Sequence, residues 1–167
     1  LIQAEFRQRD LDFATALAEV LLDQFEDPTA GGFFFTSHDH EKLIHRAKTG
    51  LDNVIPSGNG IAATALQRLG HILDEPRYLQ AAERTLQLFS GEILRQPNTH
   101  CGLLVALEEF LTPPRMIILR GEKAALSDWQ TALIPHSLRS LSVALPAELT
   151  NLPVNLNKPL SADEQMS

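Results

Sequence analysis

The sequence is poor in the residues that staple small folds or build metal clusters, with a single cysteine, Cys101, among 167 residues. A lone thiol excludes an internal disulfide and a multi-cysteine zinc site, and a reducing, cytoplasmic setting is expected. Long apolar runs are also missing. The longest, "MIIL" and "GLLVAL", fall far short of the ~20 residues that cross a bilayer, so no membrane partner is expected. Lys and Arg number 14 against 21 Asp and Glu, a net charge of -7. That balance lacks the basic surplus that a phosphate backbone demands, and nucleic acid is excluded as an expected partner. The opening "LIQAEFRQRDLD" has no basic start followed by an apolar core, so it does not read as a signal peptide. There is no initiating Met, and the chain is expected to begin inside a longer protein.

What is present is a globular composition, 44% hydrophobic, patterned mostly at helical spacing. Leu11, Ala14, Leu17, Ala18, Leu21, Leu22 and Phe25 form one stripe over 10–25. "DPTAGG" ends that helix, and "GGFFFTS" reads as a short buried hairpin edge, with an aromatic ligand platform as the alternative. A second helix carries Ala62, Ala65, Leu66, Leu69, Ile72 and Leu73 on one face. A third, with Asp74 as its expected cap and Pro76 in its first turn, carries Leu79, Ala82, Leu86, Phe89 and Ile93. The fourth, over 98–111, is expected to bury His100, Leu104, Leu107 and Leu111. Four such helices on short connections predict antiparallel hairpins.

The pattern changes at "TPPR". "MIIL", then a helix with Leu126, Trp129 and Leu133 on one face, then "SLSVAL", predict a strand, a helix and a parallel strand, with Trp129 in the core. The division expected is a helical segment over 1–112, a small βαβ unit over 113–150 and a loose tail over 151–167, rich in Pro, Asn and charge.

Two stretches concentrate polar chemistry. "SHDHEKLIHRAK" holds His38, Asp39, His40, Glu41, His45, Arg46 and Lys48. His38 and His40 share a face of an extended chain, but His45 falls on the other, leaving no third ligand, so no metal is expected. A solvated turn is the simple reading, and a polar pocket with a histidine or carboxylate in acid/base work is the other. The second stretch, "LDNVIPSGNG", spends Asp52, Asn53, Ser57 and Asn59 where one helix cap would suffice. It lacks the Lys-Ser/Thr ending of a nucleotide loop and the full glycine fingerprint. His100 and Cys101 are neighbours in sequence, and on a helix they point ~100° apart, so they do not form a nucleophile-base pair. Cys101 is expected to be small, partly buried packing.

The run from His38 to Phe89, with "DN", "PSGN" and "RYLQAAERTL", resembles the YyaL-type proteins, a family related to the spermatogenesis-associated thioredoxin-domain proteins. The likeness continues through "PPRMIILRG". Ala47 stands where relatives commonly have a proline, and Gly60 where a small hydroxyl residue is usual. The resemblance implies a part of an (α/α)6 helical-hairpin toroid, similar to sugar epimerases and six-hairpin glycosidases, followed by the strand-helix-strand appendage. It implies a parent protein with an N-terminal thioredoxin-like domain, absent here, and a sugar or polyol as ligand. In such toroids loops at one end line the pocket, which makes Asp52, Asn53, Ser57 and Asn59 candidates, with Asp39, Glu41, Arg46 and Lys48 beside them. No catalytic residue and no cofactor follow from the resemblance, and the isolated segment is expected to be inactive, with sugar or polyol binding or conversion belonging to the full-length parent. The expected partners are a carbohydrate or polyol, the rest of the same protein, or a second copy covering the exposed helix faces. The alternatives are a non-enzymatic docking or regulatory module for a redox domain, and a purely structural role for "DN" and "PSGN".

Overall fold

The structure is a computed structural model that describes residues 2–39, 46–133, 140–150 and 152–157. It is mainly helical with a small two-stranded parallel sheet. In chain order come α1 (Gln8–Phe25), α2 (Gly58–Leu73), α3 (Pro76–Arg95), a 3-10 turn (Pro97–Thr99), α4 (Cys101–Leu111), β1 (Arg115–Gly121), α5 (Lys123–Leu133), β2 (Ser140–Pro146) and a second 3-10 turn (Val154–Leu156). The chain divides into two compact units, one of 12–71 and 75–113, the other of 1–11, 72–74 and 114–167.

The first unit is helical. α2 is built of small and aliphatic residues and buries Ala62, Ala63, Leu66 and Leu69. A buried amide, Gln67, ties it to α4 by donating to the Ala106 carbonyl at 2.9 Å. α3 separates its faces cleanly and buries Tyr78, Ala81, Ala82, Thr85, Leu86, Phe89 and Ile93. It packs on α4. The Tyr78 hydroxyl donates to Glu19 on α1 at 2.5 Å, so the ring is buried without orphaning its polar end.

The cap of α3 is Glu75, whose side chain accepts from the Arg77 amide, and not Asp74. Asp74 sits in the left-handed region at φ 58, where α2 ends. One residue thus stops α2 and the next starts α3, a division of labour that an "LDEP" string does not display.

Several expected core positions lie elsewhere. On α4 the buried residues are Leu103 and Ala106, while Leu111 is 71% exposed. That helix is apolar almost all round, so its spacing supports any rotational phase equally. Leu17 on α1 and Ala65 on α2 are exposed, because the apolar arcs of these helices are wider than the faces that this chain covers. Cys101 is exposed as well. Of the three phenylalanines, Phe33 is buried and Phe35 is 82% exposed. The expected hairpin edge is reduced to a single antiparallel bridge between Glu26 and Phe33.

In the second unit β1 and β2 run parallel, in register from Arg115 opposite Ser140 to Gly121 opposite Pro146, and α5 packs on both. Leu126 is buried, but Trp129 is 44% exposed and not core. Two strands ~5 Å apart offer too narrow a sheet to cover two turns' width of helix. Residues 2–11 belong to this unit: Phe6 and Leu11 are buried, and Gln3 donates to the Ser140 carbonyl. Leu152 and Leu156 are buried too, so the stretch after 151 supplies core at its start, where looseness was expected. Residues 158–167 lie outside the described residues.

Candidate functional site

The "DN" and "PSGN" residues meet at the N-terminus of α2. Ser57 precedes the helix and its Oγ accepts from the Gly60 amide at 3.1 Å, the ordinary bond of an N-cap. Asp52 reaches two backbones at once: Oδ1 accepts from the Ser57 amide at 2.7 Å and Oδ2 from the Gly102 amide at 2.8 Å. Gly102 lies in the first turn of α4, whose own cap position, His100, makes no side-chain capping bond. Asp52 therefore caps α4 from a distance. Burial pushes the Asp52 carboxyl up, but the Ser57 and Gly102 amides, the Ser57 hydroxyl and nearby His100 together outweigh it and hold the carboxyl below its ordinary value.

Asn59 is 4% exposed and uses both ends of its amide. Oδ1 accepts from the Phe33 amide at 2.7 Å, and Nδ2 donates to the carbonyls of Phe33 and Thr49, each at 3.0 Å. One side chain thereby joins α2, the phenylalanine segment and the loop at 49. A carboxylate at this position would present a second acceptor to two carbonyls, so the chemistry selects an amide.

Beside this frame lies a cavity of about 410 Å³, lined by Leu21, Phe33, Phe34, Phe35, Thr49, Leu51, Asn53, Ile55, Pro56, Ser57, Gly58 and Asn59. The walls are chiefly aromatic and aliphatic. Its polar points are the exposed Asn53 side chain and the first-turn amides of Gly58 and Asn59, which have no partner among the described residues. Open space surrounds Gly58 where a Cβ would stand. None of these lining residues carries a titratable side chain.

Of the other candidates, Arg46 lies over the Phe34 ring at 4.0 Å and donates to the Thr36 carbonyl and to His38 Nδ1. His38 Nε2 is 3.1 Å from the Glu26 carbonyl, which assigns the proton to Nε2. Asp39 is exposed and accepts from the Ser37 hydroxyl. His40, Glu41 and His45 lie outside the described residues. Among the described residues no group of three His, Cys, Asp or Glu is placed to hold a metal ion. No described helix is long and apolar enough to cross a membrane. The structure thus brings Asn53, Ser57 and Asn59 to the cavity and leaves Asp52 behind it as a support. The three phenylalanines were the sequence's alternative of an aromatic platform, and the lining residues that sequence reasoning missed are Leu21, Leu51, Ile55 and Pro56. An aliphatic residue within a polar loop was the available signal, Ile55 being 74% exposed.

Lys48 belongs to the frame. Its Nζ meets Asp27 at 2.8 Å and the Gly31 carbonyl at 3.0 Å, clamping the turn that leads into the phenylalanines. The Ala30 amide, then Lys48 and the Thr29 amide, hold the Asp27 carboxyl down to about 2 against the opposing effect of burial. Its folded value lies below the unfolded one, so its stabilisation is complete above about pH 4 and is lost as pH falls towards 2. Asp27→Asn should lower stability by about 1 kcal/mol at neutral pH, with the two proteins converging between pH 4 and pH 2 in urea titrations. A gap that stays constant down to pH 2 would show that the charge is not what matters there.

No family model matches the chain, and no curated protein matches it.

Proposed function

We propose that the helical unit forms one wall of a pocket for a sugar or other polyol, within a larger helical-hairpin toroid belonging to a cytoplasmic protein with a redox domain. The observation that carries this reading is the cavity itself: an aromatic and aliphatic surface with a few fixed polar points, the pattern of small-molecule sites. A pyranose or cyclitol has apolar C–H faces suited to Phe34 and Phe35. Its hydroxyls are suited to Asn53 and the free amides of Gly58 and Asn59. The resemblance to YyaL-type proteins supports the same ligand class. Exposed apolar residues on α1 (Phe13, Leu17, Val20) and α4 (Val105, Phe110, Leu111) are what a toroid segment presents to its next hairpins.

On this reading the contribution of the lining residues is binding. Proton transfer at the cavity would draw on a group outside that lining, since Asp52 is committed to two amides behind it. Docking of a redox domain without catalysis remains the second reading, favoured by the same commitment of the loop's only described carboxylate.

The test is titration of the labelled chain with D-glucose, N-acetylglucosamine and myo-inositol, followed by amide shifts. Saturable millimolar binding is expected, with shifts at Gly58 and Asn59. Phe35→Ala, at a side chain 82% exposed, should weaken the best ligand about tenfold and leave the melting temperature unchanged. Binding that ignores Phe35, or no saturable shift with any of the three, would remove the polyol reading and leave docking.

A further inference from the structure

The two strands of the second unit are buried unequally. β2 is buried on both faces over Leu141, Val143, Ala144 and Leu145, as parallel strands usually are. β1 has the same kind of sequence, with Met116, Ile117, Ile118 and Leu119 in an unbroken apolar run, yet none of its residues is buried. Its composition is that of an interior strand and its position is that of an edge.

The edge is open. Among the described residues β1 pairs with β2 alone, and the one further backbone bond it receives comes from the Ala147 amide to the carbonyl of its last residue, Gly121. Natural edge strands are usually blunted by a lysine, a proline, a bulge or a short length. β1 is seven residues long, pairs in unbroken register, and has no proline or lysine within it.

What flanks the apolar run identifies the occupant. Arg115 and Arg120 bracket it, and period-two geometry places them on opposite faces, Arg115 with Ile117 and Leu119, Arg120 with Met116 and Ile118. Neither makes an ion pair among the described residues. Among the described residues Arg120 donates only to a neutral carbonyl, that of Leu149, so both ends of the strand carry a positive charge with no carboxylate paired to it there.

We propose that the outer edge of β1 is a docking edge for an extended segment of a partner protein with an apolar centre of about four residues and an acidic residue at each end. The segment adds a third strand to the sheet, with main-chain bonds supplying the affinity and the two arginines setting direction and choice of partner. This inference is independent of the polyol pocket, which lies in the other unit.

The test uses the full chain, isotopically labelled, with two blocked synthetic peptides, Glu-Val-Leu-Val-Ile-Asp and its counterpart with lysine at both ends. The acidic peptide is expected to shift the amides of 115–121 and to bind about tenfold more tightly than the lysine peptide, a preference that shrinks in high salt. Arg115→Glu, at an exposed first position of the strand, should remove or invert that preference while the rest of the amide spectrum is unchanged. Equal affinity for both peptides, shifts confined to another region, or no binding at millimolar peptide would overturn the proposal. So would sedimentation showing a dimer whose association is abolished by Ile118→Lys, since the occupant would then be a second copy.

Discussion

Asn59→Ala should cost about 3–5 kcal/mol, a large share of the stability of a domain this size. The side chain is 4% exposed, and its removal orphans one amide and two carbonyls at Phe33 and Thr49. Each buried group left without a partner costs about 1–3 kcal/mol. Asn59→Asp should be no remedy: it keeps the acceptor for the Phe33 amide but turns a carboxylate oxygen towards two carbonyls. The measurement is urea denaturation of both variants beside Phe35→Ala, which removes more apolar surface but from an exposed position. A loss below 1 kcal/mol in Asn59→Ala would mean that water replaces these bonds freely and that the segment at 33 is not held by them.

Gly60→Ala should be the second large effect, about 2–4 kcal/mol destabilising, against the ~1 kcal/mol that alanine ordinarily gains over glycine inside a helix. A Cβ at 60 would stand 2.8 Å from the Gly102 carbonyl carbon, 3.0 Å from the Leu103 nitrogen and 3.0 Å from the Ser57 hydroxyl. Two of these are backbone atoms of α4, so the helix itself must move. Moving it lengthens the bond from Gly102 to Asp52. Gly60→Ala and Asp52→Asn should therefore combine to less than the sum of their separate costs, because one displacement breaks both contacts. Gly58→Ala is the control, since nothing lies within 4 Å of a Cβ there. In this chain position 60 faces another glycine, Gly102, across the helix pair.

The helices were legible because their periodicity is local. The first was expected over 10–25 and is Gln8–Phe25, and the strand-helix-strand order follows "MIIL" and "SLSVAL" closely. What escaped was anything decided by a partner far along the chain. Asp52 finds Gly102 fifty positions away, and no spacing rule connects them. The phase of α4 was illegible for a different reason, since an apolar helix carries no record of which side is covered. At the candidate site the sequence drew attention to the polar residues of "DN" and "PSGN", but it does not distinguish a side chain that lines a cavity from one that holds its frame. Asn53 does the first, Asp52 the second, and Asn59 touches the cavity while spending its amide on the frame.

Asn59 grips Phe33 and Thr49 solely through main-chain atoms, which every residue type except proline supplies alike. The frame is consequently indifferent to what the neighbouring side chains are. Phe35 and Ile55 can be exchanged for residues of other size or polarity while the three Asn59 bonds stay in place, so the shape and preference of the cavity can be altered without rebuilding what holds its loop.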